Sequence, residues 1–74
     1  MTQPLAPIEQ AAEAAGSWFA LAQKLKVSHQ SVYQWKSRGF FPLRRALEIE
    51  LHYGIPAKDL IDPALREIAD LLNL

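Results

Sequence analysis

Cysteine is absent from the 74-residue chain, so no disulfide staples it and no zinc site can be built on thiolates. That absence fits a reducing compartment. Long apolar runs are missing as well. No stretch approaches the roughly 18 uninterrupted apolar residues that a membrane span requires. The opening MTQPLAPIEQ has neither a basic start nor the apolar core of a secretory signal. A soluble, cytoplasmic chain is therefore expected, with no membrane partner. Catalytic constellations are lacking too. His29 and His52 have no HExxH-type spacing, no glycine-rich phosphate loop is present, and the carboxylates sit at mostly solvent-facing positions. The expectation is no enzyme, no cofactor, no metal and no small-molecule ligand. A single domain of this length buries only about 60% of its unfolded surface. With no disulfide to help, packed helices or a subunit partner must supply the remaining stability.

The most informative absence is local. Between Glu13 and Glu48 there is no Asp or Glu, while the same window holds six Lys or Arg. The rest of the chain carries two basic and eight acidic side chains, so a formal charge of zero divides into a +6 middle and −6 flanks. Screening limits electrostatic reach to about 8–10 Å in salt, so the local patch outweighs the total. Such a patch is suited to phosphate.

The apolar pattern is helical throughout, without strand alternation, repeat or low-complexity segment. Residues 1–6 read as a flexible lead-in. Pro7 suits a first helical position, and Ile8, Ala11, Ala12 and Ala15 share one face up to a stop at Gly16. Ser17 is a plausible N-cap for a helix near Trp18–Leu25 with Leu21, Ala22 and Leu25 inward. Ser28 caps a third helix near His29–Ser37, where Val32 and Trp35 face the core. Gln30, Tyr33, Gln34 and Ser37 lie on or near the opposite side. Gly39 and the apolar elbow Phe40-Phe41-Pro42 lead into a fourth helix, about Pro42–Tyr53. Its expected inward residues are Leu43, Ala46, Leu47 and the stem of Glu50 beside Leu51. Gly54 and Pro56 stop it, residues 57–60 suit a single turn, and Asp62-Pro63 opens a last helix striped by Leu65, Ile68, Ala69 and Leu72. The expected fold is all-α, a compact bundle of about five short helices. Residues 7–62 form its main domain, and 63–74 a C-terminal helix.

The pattern Ala22-x-x-Leu25-x-Val27-Ser28-x-x-x-Val32-x-x-Trp35 resembles the helix-turn-helix of phage Cro proteins and repressors. Ala22 allows a close crossing, Val27 plugs the turn, and Val32 with Trp35 pins the reading helix. The longer run through Trp35, Arg38, Gly39, Pro42 and Arg45 is similar to YdaS/Cro-like prophage regulators. In these a W-x-x-R-G-x-x-P segment enters the next helix. The resemblance covers roughly residues 17–55 and implies a lambda-repressor-like fold. It also implies a double-stranded DNA operator as partner, with the third helix in the major groove. One departure is Lys26, where such motifs usually carry a left-handed glycine; a non-glycine residue there costs roughly 1–2 kcal/mol.

Carried onto this chain, the resemblance implies base contacts from His29, Gln30 and Gln34, with Tyr33 against a thymine methyl or a phosphate. A glutamine amide can pair bidentately with adenine N6 and N7, at ~1–3 kcal/mol of discrimination. Plain solvation is the competing reading for the glutamines, and an ordinary helix start for His29. Phosphate contacts are expected from Ser17, Ser31, Lys36, Ser37, Arg38, Arg44 and Arg45. The alternative for Arg44 is an i,i+4 pair with Glu48 in the weaker, basic-first order. Two arginines in a first helical turn also oppose the helix dipole, a penalty that a phosphate would reverse.

The tail is apolar over more than one face, because Leu71 and Leu74 lie off the main stripe. Leu65, Ile68, Leu71, Leu72 and Leu74 are the expected dimerisation residues, with closure of the monomer's own core as the competing reading. A symmetric dimer places two reading helices about 34 Å apart on successive major grooves. The resulting expectation is a Cro-like dimeric repressor of a bacteriophage or prophage. A CII-like activator, an excisionase-like architectural protein and a protein-interaction module without DNA binding are the alternatives.

Overall fold

The computed structural model describes residues 5–72. They form α1 (Pro7–Ala15), α2 (Trp18–Leu25), α3 (His29–Arg38), α4 (Leu43–Tyr53), a single 3₁₀ turn (Ala57–Asp59) and α5 (Pro63–Leu71). No strand occurs among the described residues, so the all-α class expected from the pattern is the observed one. None of these helices is long and apolar enough to cross a membrane. Residues 1–4 of the expected lead-in lie outside the described residues.

Local chemistry sets the boundaries. Pro7 occupies the start of α1, where its missing N–H leaves no carbonyl unpaired. Ser17 Oγ accepts the Ala20 N–H at 2.9 Å and Ser28 Oγ accepts the Ser31 N–H at 3.2 Å, each capping the helix that follows. Helix α2 closes in a Schellman motif. The Val27 N–H reaches the Ala22 carbonyl at 3.0 Å, and the Lys26 N–H reaches that of Gln23 at 3.2 Å. Lys26 is left-handed there, with φ 59° and ψ 44°. The motif thus keeps its usual geometry without the usual glycine.

The core is built from α1, α2, α3, α4 and the segment 55–61. Leu21, Val32, Phe41, Ile49 and Leu60 are its largest fully buried side chains. Ile8, Ala11 and Ala12 bury the inner face of α1, as their spacing predicts, and Leu21, Ala22 and Leu25 do the same for α2. Trp35 is half-buried and meets Phe41 edge to face, ring centroids 5.7 Å apart at 71°. Two hydrogen bonds then tie the 3₁₀ segment to the elbow and to α4. The Phe41 N–H donates to the Leu60 carbonyl at 2.6 Å, and Glu50 Oε2 accepts the Ala57 N–H at 3.1 Å.

Helix α4 differs from expectation. Ala46 is buried as expected, but its partner is Ile49, whereas Leu43 and Leu47 are exposed, as is Glu50, and Leu51 is 83% exposed. The helix is rolled by about a quarter of a turn from the expected stripe. Ala46 and Ile49 pack in the same buried cluster as Phe41 and Leu60. Helix α5 differs too. Asp62 caps it through the Ala64 N–H at 3.0 Å, and Arg66 pairs with Asp59 at 3.1 Å. Yet no core residue comes from α5, and Leu65, Ile68 and Leu72 are exposed. The side chain of Ala69 and all of Leu74 lie outside the described residues.

Candidate nucleic-acid interface

Helices α2 and α3 pack against each other, and Leu21, Ala22, Leu25 and Val32 on them are buried. Val32 and Trp35 turn the inner side of α3 to the core, so its remaining side chains are presented outward. His29, Gln30, Tyr33, Gln34, Lys36, Ser37 and Arg38 are all exposed. The helix contains no acid, and His29, Gln30, Tyr33 and Gln34 are among its exposed groups able to hydrogen-bond base edges, alongside Lys36, Ser37 and Arg38. Helix α3 also runs one residue beyond the expected Ser37, to Arg38, before Gly39 takes φ 92° and returns its N–H to the Trp35 carbonyl at 2.8 Å.

The serines divide by role. Ser17 is exposed at the start of α2 and engaged in capping. Ser31 is half-buried, with its hydroxyl 3.0 Å from that of Ser28, so it supports the cap of α3. Ser37 is exposed and makes no side-chain hydrogen bond among the described residues.

Among the described residues only two ion pairs occur, Arg45–Glu48 and Arg66–Asp59. Five of the six cations in the acid-free window (Lys24, Lys26, Lys36, Arg38 and Arg44) therefore lack an acidic partner there. Arg45 is the exception. Its Nη1 lies 2.9 Å from Glu48 Oε2 and donates to the Leu25 carbonyl at 3.3 Å. This arginine caps the C-terminal end of α2 from α4, and the pairing with Glu48 goes to Arg45 at i,i+3 rather than to Arg44 at i,i+4. Lys36 is steered by aromatic faces: its Nζ sits 5.2 Å from the Trp18 ring centroid and 5.9 Å from that of Tyr33. Contacts of this kind contribute roughly 0.5–1 kcal/mol at exposed sites and leave the ammonium's own donors free.

Phe19 is a residue that pattern reasoning passed over. It is 50% exposed at the second position of α2, and its ring lies 4.0 Å from that of His29, at 66°. The only signal for it in the sequence is an aromatic on the outward side of α2, meaningful once the crossing of α2 and α3 is known.

A second feature lies apart from α3. The exposed leucines of α4 and the stripe of α5 flank an apolar groove of about 510 Å³, lined among others by Leu43, Leu47, Ile61, Leu65 and Ile68. Leu71, near the end of α5, is 86% exposed and is not among the residues lining the groove.

The family model for the bacteriophage CI repressor helix-turn-helix domain matches residues 7–62, more than half of the chain. No curated protein and no solved structure matches it.

Proposed function

The chain belongs to the bacteriophage CI repressor helix-turn-helix family, and from that premise we propose that it is a Cro-like dimeric repressor that lays α3 in the major groove of an operator. The observation that carries this reading is the outward face of α3, which combines amides, a phenol and an imidazole with unpartnered cations and no acid. Gln30 and Gln34 read base edges, with His29 and Tyr33 beside them. Lys36, Arg38, Arg44 and Ser37 hold phosphates, and the start of α2 at Ser17 offers free N–H groups to the backbone on the other side of the groove. Arg45 and Ser31 serve the fold in this reading, since their polar atoms are already engaged. Binding in the groove excludes polymerase from an overlapping promoter.

Leu65, Ile68, Leu71 and Leu72 form the subunit contact, extended by Leu43 and Leu47 across the groove. An apolar face of this extent on a small domain is an association surface. A two-fold dimer then matches a near-palindromic operator.

In-vitro selection from random duplex DNA, followed by titration of the winning sequence at several salt concentrations, tests the reading. A two-fold motif with half-sites about one helical turn apart is the expected result. Gln30→Ala with Gln34→Ala should relax the selected motif while leaving unrelated DNA bound almost as before. Lys36→Ala should weaken every sequence alike and reduce the salt slope by about one unit. Enrichment of no motif overturns the proposal.

A further inference from the structure

We infer that Phe19 is a positioning residue for base reading, holding the imidazole of His29 in a fixed plane at the start of the reading helix. The inference rests on the reading in which α3 contacts bases. Core packing does not account for Phe19, because α2 buries Leu21, Ala22 and Leu25 and leaves this phenyl half exposed. Its neighbour in the structure is His29, at 4.0 Å between ring centroids and 66° between planes. His29 is the first residue of α3, so no preceding turn of that helix restrains its side chain. Among the described residues no hydrogen bond holds its ring. The edge-on aromatic contact is therefore the restraint on an otherwise free pair of torsions.

Orientation matters for this side chain in particular. A neutral imidazole offers one donor and one acceptor on different edges. A free ring samples both presentations and gives up that freedom on binding, whereas a ring already held offers one edge to the base pair. The adjacent Trp18 treats Lys36 in the same way, with its ring 5.2 Å from the ammonium. Consecutive aromatics at the head of α2 thus each orient one side chain of α3, Phe19 at its first turn and Trp18 at its last.

Phe19→Leu keeps an apolar side chain and removes the aromatic edge, while Phe19→Tyr keeps both. With the selected operator, Phe19→Leu should lower affinity about two- to tenfold, the usual worth of an aromatic pair. It should also relax preference at the base pair opposite His29. Affinity for unrelated DNA and the salt slope should stay unchanged, Phe19→Tyr should restore wild-type behaviour, and in a His29→Ala background Phe19→Leu should add nothing. In the DNA-free protein, the His29 ring-proton resonances should be displaced by the phenyl ring current. They should move to exposed-imidazole positions in Phe19→Leu and remain displaced in Phe19→Tyr. Unmoved resonances in Phe19→Leu, or an equal loss of affinity for all DNA, overturn the positioning role. Absence of selectivity in the unsubstituted protein overturns instead the base-reading premise, a failure visible before any variant is made.

Discussion

Replacing Lys26 by glycine should stabilise the protein without altering what it selects. Lys26 sits in the left-handed region, φ 59° and ψ 44°, and is the only described non-glycine residue with a positive φ. A side chain there costs ~1–2 kcal/mol, and the greater unfolded-state freedom of glycine gives back roughly 0.5–1 kcal/mol of the relief. The net gain is up to about 1.5 kcal/mol and about 0.75 kcal/mol at the midpoints, which for a domain of this size raises Tm by about 3–6 °C. Both hydrogen bonds of the motif, Val27 to Ala22 and Lys26 to Gln23, are made by backbone atoms and survive the change. Lys26→Ala is the informative control, because alanine removes the charge but keeps the strain. Thermal unfolding followed by circular dichroism should rank glycine above lysine, with alanine no better than lysine. If glycine and alanine prove equal, or glycine falls below lysine, the strain argument is wrong.

Phe41→Ala should cost about 3–5 kcal/mol, as for other buried aromatics, since the ring is fully buried and meets Trp35; urea unfolding measures it, and loss of the folded state at room temperature is an acceptable extreme. Arg45→Met should destabilise by about 1 kcal/mol through the lost Leu25 carbonyl and Glu48 contacts, while the salt slope of DNA binding stays unchanged. A reduced slope in that variant would return Arg45 to the phosphate contacts. Ile68→Glu should weaken dimerisation by about thirtyfold or more in sedimentation equilibrium and leave the helical content intact; a monomeric wild-type protein at high micromolar concentration would remove the basis of this prediction.

The helix-turn-helix was readable because its determinants are short-range. Ser17 and Ser28 cap helices whose first turns follow immediately, and Leu21, Ala22, Leu25 and Val32 repeat at helical spacing within a dozen residues. The left-handed position of Lys26 was readable only through the resemblance of the motif, in which glycine usually stands there. Helix α4 was not, because it offers two apolar stripes. Leu43, Leu47 and Leu51 form the more hydrophobic one, yet the buried stripe is Ile49 with Ala46, of which only Ala46 was expected inward. The buried stripe packs in one cluster with Phe41 and Leu60, which meet across eighteen intervening positions of sequence and not within the helix. Pairings between elements were equally hidden. Arg45 reaching Leu25 and Phe19 reaching His29 both depend on how helices cross, which spacing along one helix does not encode.

The division of charge along the chain becomes, once folded, a division among elements. The cations of the acid-free window belong to α2, α3, the turn between them and the first turn of α4, whereas acids are carried by α1, the later part of α4, the 3₁₀ segment, its link to α5, and α5 itself. A molecule built this way is electrically polar while neutral in sum. In the field of a polyanion it experiences a torque more than a net pull, and approaches by the wrong side are repelled. In the proposed reading, with α3 toward DNA, the consequence is kinetic: collisions would be turned toward that helix before contact, and fewer cations elsewhere would hold the protein in unproductive orientations.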